Sequence, residues 1–236
     1  MDTFRNMRND KLAKAMINKL AARNMEGFYV QTKEEAKELA LSLIPEGSSV
    51  GWGGSMTVKA TGLLDALIEG NYKELNRDAA KTPEEKDRIS KECFFADYFL
   101  TSCNAITEDG IMVNIDGNGN RVAAIVYGPS HVIVITGMNK VVRTEEDALS
   151  RARNEAAPIN AQRFGLSTPC STTGECANCL SPETVCCQFL TTRYSKHKGR
   201  IKVILVNEDL GFKKTDKFQG LFIIIAQDTF VLSYSV

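Results

Sequence analysis

Two stretches of this chain, His131-Val-Ile-Val-Ile-Thr136 and Ile-Lys-Val-Ile-Leu-Val over 201–206, are apolar almost without interruption. A strand with one wet face alternates apolar and polar residues. A run without that alternation is covered on both faces, as in a parallel sheet between two layers of helices. The intervening segments supply the helices. Thr32-Lys-Glu-Glu35, Thr82-Pro-Glu-Glu85 and Thr144-Glu-Glu-Asp147 each place a capping hydroxyl before acidic residues favoured in a first helical turn. Residues 2–24 form an expected amphipathic helix, with Leu12, Met16, Ile17 and Leu20 on one face and Gly27 as its stop. Further strands are expected at 28–31, 48–52 and 98–102. Helices and strands alternating in this way give an α/β domain with a mainly parallel sheet flanked by helices.

At 236 residues the chain has room for one large domain and a small appendage. We expect a domain over 1–212, including a cysteine-rich loop at 167–188, and an extension over 213–236 for which the residues suggest no role. Equal numbers of basic and acidic residues argue against nucleic acid or a membrane surface as partner. The start of the chain lacks the apolar core of a signal peptide. The aliphatic run at 221–226 is too short to span a bilayer. A cytoplasmic location is therefore expected, where cysteines serve as thiols or metal ligands rather than disulfides.

Three places could carry chemistry. In the first, residues 104–121, Ile111, Val113 and Ile115 alternate with Met112, Asn114 and Asp116, and Asp116-Gly-Asn-Gly-Asn120 follows. We expect a hairpin here, with Arg121 to Tyr127 as its returning strand. The polar residues at its tip and base, Asn104, Glu108, Asp109, Gly110, Asn114, Asp116, Gly119, Asn120 and Arg121, would either solvate a turn or converge on a ligand. Gly128, Asn139 and Lys140 follow neighbouring strands with similar punctuation. The second place is Gly53-Gly-Ser-Met-Thr57, a glycine turn between a strand and a helix. Its free N–H groups, with the Ser55 and Thr57 hydroxyls, suit an anion, although glycines at such turns are common for steric reasons alone. The third is the run Cys170, Cys176, Cys179, Cys186 and Cys187, five of the seven cysteines within eighteen residues. Thiolates so close suit zinc or an iron–sulfur cluster. The spacing matches no common pattern for either, and unliganded thiols are the alternative.

Thr107-Glu-Asp-Gly110, Asn114-Ile-Asp-Gly117, Gly119-Asn-Arg-Val122, Tyr127-Gly-Pro129, Gly137-Met-Asn-Lys140 and Ala157-Pro158 together resemble the LUD-domain family, the lactate-utilisation proteins. The resemblance extends from Phe4 to Phe212 and takes in Pro169-Cys170, Thr173-Gly-Glu-Cys176, Cys179 and Cys186. It implies a fold like that of ribose-phosphate isomerase A, glucosamine-phosphate deaminase and the CoA-transferases. It also implies a part in oxidising lactate to pyruvate beside iron–sulfur partner proteins. On that reading Arg121 or Lys140 pairs a small carboxylate or phosphate-bearing metabolite, and Glu108 or Asp109 handles protons. The alternative is a transferase or isomerase for an acyl-CoA or sugar phosphate, with the cysteine loop a structural zinc clip. By analogy with CoA-transferases, Glu108 would then be the nucleophile. Self-association is left open.

Overall fold

The computed structural model describes residues 3–212; the extension expected at 213–236 lies outside them. In chain order the elements are α1 (Thr3–Ala22), β1 (Glu26–Val30), α2 (Lys33–Ser42), β2 (Ser49–Trp52), α3 (Met56–Ala60), α4 (Leu63–Glu69) and β3 (Lys73–Leu75). Then come α5 (Pro83–Glu92), β4 (Tyr98–Thr101), β5 (Ala105–Thr107), β6 (Met112–Asp116), α6 (Asn120–Tyr127) and β7 (His131–Gly137). The last are β8 (Val141–Val142), α7 (Glu145–Arg151), α8 (Ala157–Phe164), α9 (Pro169–Thr173), β9 (Gln188–Thr192) and β10 (Ile201–Val206).

Six strands form one wholly parallel sheet in the order β1-β10-β7-β4-β2-β3. The two apolar runs are its adjacent central strands, β7 and β10. Val132, Val134, Val203 and Leu205 pack into one core with Met16 and Leu20 of α1. Ile133, Ile135, Ile204 and Val206 pack into a second core, on Ala36, Ala40, Leu63 and Leu67. Each such side chain contributes about 1.5–3 kcal/mol on burial, which is why both strands carry so little polarity. Lys202 is the exception on β10; its Nζ runs back to the Gly199 carbonyl at 2.6 Å and to Glu26 at 3.6 Å.

The helix caps form as expected. Thr32, Thr82 and Thr144 each accept the backbone N–H three residues on, and Thr144 with Asp147 closes a full capping box. α1 ends at Ala22 rather than at Gly27, and Asn24 just beyond it takes a left-handed φ of 59°. Gly27 instead lets β1 press on α1, since a Cβ there would come within 2.9 Å of Leu20. α7 passes through a π-turn at Ala152–Ala156 into α8, which carries Pro158 in its first turn. That bulge accommodates the missing proline N–H.

The hairpin expected around Asp116–Asn120 is not formed. Residues 121–127 belong to helix α6, entered through Gly119 at φ 81°. Val122 and Ile125 are buried one helical turn apart, a spacing of three that shares a face on a helix but not on a strand; the glycine-rich turn before them suggests a hairpin instead. The real hairpin joins β5 to β6 through the turn at residues 108–111. β6 then pairs with β9, and β5 with β8, giving a second, four-stranded sheet, β8-β5-β6-β9. β9, just past the cysteines, was not anticipated.

Candidate functional site: a basic cavity at the carboxyl ends of the strands

In the large sheet β2, β4, β7 and β10 run the same way, so their carboxyl ends open on one side. That is where α/β sheets bind ligands. Residues just past them, Gly54 to Thr57, Ser102 and Cys103, Lys140, and Gly211 and Phe212, line a cavity of about 610 Å³. Asp116 to Asn118 from the end of β6, residues 155–164 on the α7–α8 side and residues 182–185 complete its wall.

Lys140 is almost wholly buried, and its Nζ donates to Thr57 Oγ1 at 2.7 Å, Ser102 Oγ at 2.9 Å and the Cys103 carbonyl at 3.3 Å. Among the described residues it forms no ion pair. Burial pushes the ammonium down to about 8, and the nearby charges of Arg151 and Arg121 act in the same direction. Thr57 accepts from Lys140 and so keeps its own O–H to donate. Gly211, at φ 88°, closes over the pair: a Cβ there would lie 2.8 Å from Thr57 Oγ1.

Arg121 is buried beside them with its donors already spent on protein. Nη1 donates to Asn114 Oδ1 (2.6 Å) and the Ser102 carbonyl (3.2 Å), Nη2 to the Ile115 carbonyl (2.7 Å) and Asn104 Oδ1 (3.4 Å). Nε faces Asp116 Oδ2 at 3.5 Å. Burial lowers the guanidinium's proton affinity, and Asp116 partly restores it. Arg121 therefore ties β4, β5 and β6 together and leaves the cavity its charge rather than its hydrogen bonds. Asp116 Oδ1 accepts the Gly119 N–H at 3.1 Å, whereas Oδ2 is buried with no hydrogen-bond partner. The Arg121 ion pair offsets part of the cost of burying this oxygen, and a ligand hydroxyl could still donate to it.

The glycine loop works differently from the sequence expectation. α3 has only five residues, too few for a useful helix dipole, and Gly53 and Gly54 have no left-handed φ. They are glycines because arginines cross them. A Cβ on Gly53 would lie 3.0 Å from Arg121 Cδ; on Gly54 it would lie 2.9 Å from Arg77 Nη2 and 3.3 Å from Arg163 Nη2. Ser55 caps α3 by accepting from the Val58 N–H. Arg77, Arg151, Arg163 and Glu155 were not singled out from the sequence. They are isolated charges on separate helical segments, and the Arg151/Glu155 pair one turn apart was the only local signal.

Not every expected residue comes to this place. Glu108, Asp109 and Gly110 sit on the β5–β6 turn against α1, outside the cavity lining. There Lys19 reaches Asp109 at 2.5 Å, Arg8 reaches Glu108 at 3.6 Å, and a Cβ on Gly110 would meet Leu20. Lys19 holds the Asp109 carboxyl below its ordinary range. Gly128 packs on Ala124 and Phe94. Asn139 clamps Leu210 through both backbone groups and so delivers Gly211 to the cavity.

The cysteine loop adjoins the cavity. Cys187 N–H bonds the Asp116 carbonyl at 3.1 Å, and residues 182–185, inside the loop, form cavity wall. Burial raises the Cys186 thiol, and Cys176, Cys170 and Cys179 are close enough to raise it further. The donor chemistry suits zinc or an iron–sulfur cluster, and as the thiols stand no three Cys, His, Asp or Glu side chains among the described residues converge as a metal site. No helix among these residues is long and apolar enough to cross a membrane.

Parallel strands flanked by helices, with basic and hydroxyl side chains gathered in one cavity at their carboxyl ends, define an α/β domain. The family is shown by sequence: the LUD-domain model matches residues 13–206, and the chain belongs to that family. Among solved structures it is similar to a DUF162 family protein from Deinococcus radiodurans, with 13% identity, 85% of this chain and 98% of that chain covered, and a TM-score of 0.47. It is more distantly similar to ribose 5 phosphate isomerase A from Neisseria gonorrhoeae (15%, 54% and 64%, TM-score 0.31) and to eIF2B beta from Chaetomium thermophilum (14%, 49% and 44%, TM-score 0.35). No curated protein sequence matches the chain.

Proposed function

We propose that the cavity binds a small 2-hydroxy acid, and that the protein is a component of a lactate-utilisation system oxidising lactate to pyruvate with iron–sulfur partner proteins. The observation that carries this reading is that the same cavity holds Lys140, an ammonium held only by neutral oxygens, and Asp116 Oδ2, a buried oxygen that faces Arg121 Nε at 3.5 Å but accepts no hydrogen bond. A carboxylate is drawn to the first and to the Thr57 hydroxyl beside it; the substrate's hydroxyl satisfies the second. Oxidation of lactate to pyruvate breaks its O–H and C2–H bonds and releases two electrons and two protons; in this reading Asp116 takes the hydroxyl proton and the C2 proton leaves to solvent. The electrons pass to the iron–sulfur partners, which supply the redox chemistry. LUD-family membership supports the lactate assignment.

The test is pyruvate formation from L-lactate by the purified chain with its candidate iron–sulfur partners. Asp116→Asn keeps the shape and the Gly119 contact but loses the charge, and is expected to lower turnover at least 100-fold. Turnover like that of the unaltered protein in Asp116→Asn, or no pyruvate from any combination of partners, would overturn the reading.

A further inference from the structure

Lys140 and Asp116 account for one end of the cavity; the other end has an unanswered charge. Arg77 is mostly buried, yet its side chain donates no hydrogen bond to any described residue. Its Nε is buried without a partner, and Asp78 approaches only to 4.0 Å. Arg163 converges on the same spot over Gly54, spending one donor on the Gly54 carbonyl at 3.2 Å. Arg163 is exposed, and Asp78 acts on both guanidiniums, but it comes no nearer than 4.0 Å to Arg77 and leaves the hydrogen-bond donors of Arg77 unmatched. The packing that lets the two arginines approach is the bare Cα of Gly54.

A cavity of about 610 Å³ lies in the range that encloses drug-sized ligands, whereas lactate has only six heavy atoms. Resting on the reading of the cavity given above, we infer that its ligand carries a second anionic group, a phosphate, seated between Arg77 and Arg163 over Gly54. Planar guanidinium forks match phosphate oxygens two at a time, and the free donors of Arg77 are the complement such a group needs. Gly54 and Thr57 are three residues apart, hence no more than about 11 Å, so one short molecule spans both ends. Lactate fills only the Lys140–Asp116 end, whereas a phosphorylated 2-hydroxy acid fills both: carboxylate towards Lys140, hydroxyl towards Asp116, phosphate at the arginines.

The experiment is titration calorimetry of the whole chain with glycerate and with 3-phosphoglycerate, which differ only by the phosphate, and with malate as a dicarboxylate control. The phosphorylated acid is expected to bind at least tenfold more tightly than glycerate and more tightly than malate. In Arg163→Ala that advantage over glycerate should shrink to within threefold, and Arg163→Lys, which keeps the charge but not the fork, should recover only part of it. Thermal melts establish that the variants are folded. An advantage below threefold in the unaltered protein, persistence of the full advantage in Arg163→Ala, tighter binding of malate, or no binding of 3-phosphoglycerate would each overturn the inference. If 3-phosphoglycerate binds as stated while lactate and pyruvate neither bind nor displace it, the lactate reading fails and the phosphate site stands.

Discussion

Lys140 on the far side of β7 and Thr57 at the start of α3 meet at 2.7 Å, although 83 residues separate them in the chain. The ammonium sits among neutral oxygens, and its proton is held less tightly in the folded protein than in the unfolded chain. The sign follows from linkage. The depressed value means that stability is greatest above the ordinary lysine value of 10.5 and declines as pH falls through about 8. Replacing Lys140 by Met should remove that slope, seen as urea midpoints that no longer rise between pH 8 and 10. Binding runs the other way. Affinity for an anionic ligand should fall above about pH 8 as the charge is lost, and calorimetry from pH 6.5 to 9.5 reads it. A flat profile would show that Lys140 does not face the ligand.

The two loop glycines should respond differently to alanine. A methyl on Gly53 presses on Arg121 Cδ in the middle of a side chain anchored by four hydrogen bonds. The Gly53→Ala cost should be about 1–3 kcal/mol of stability, as for overpacked cores. A methyl on Gly54 meets only the far ends of Arg77 and Arg163, which can swing aside. Gly54→Ala should melt within about 2 °C of the parent, taking surface changes as within about 0.5 kcal/mol, yet lose ligand affinity. Equal melting temperatures for the two variants would refute the distinction.

Glu108→Gln tests the site's location. Glu108 lies on the β5–β6 turn with a loose 3.6 Å contact to exposed Arg8. The substitution should change stability by less than about 1 kcal/mol and leave turnover within twofold. Loss of turnover would return the active carboxylate to this turn.

The cysteine loop is best judged by metal analysis of anaerobically prepared protein. If the gathered thiols close on a metal when it is supplied, Cys176→Ser and Cys179→Ser should each lose more than half of it, because structural sites need every thiolate. Retention of full metal by both variants, or none in the parent, would leave the loop as cavity wall alone.

The central strands were legible because β7 and β10 must be apolar on both faces, and the helix starts because a capping threonine is a local signal. α6 was not, since the glycines before it suit a turn as well as a helix entry, and that local signal outweighed the helical spacing of Val122 and Ile125. The Gly53–Thr57 loop and Lys140 could be picked out because each directly follows a strand. Arg77 and Arg163 could not: their meeting depends on α8 and the segment after β3 both reaching the loop at Gly54, and nothing near either residue in the chain announces it. The carboxylates of the β5–β6 turn misled for the same reason, as local polarity says nothing about which end of the sheet a turn occupies.

The strand order has a consequence for how the protein comes into being. β10 lies between β1 and β7, so β1, made first, has no neighbour in the large sheet until β10 has been synthesised. On the ribosome, then, the early part of the domain waits with an open slot between two strands. The cavity cannot exist before that slot fills, because Asn139 and Leu210 must meet to bring Gly211 over Lys140. Ligand can therefore stabilise the finished protein but cannot assist its nascent stages, and chains stalled before residue 201 are expected to be protease-sensitive whether or not ligand is present.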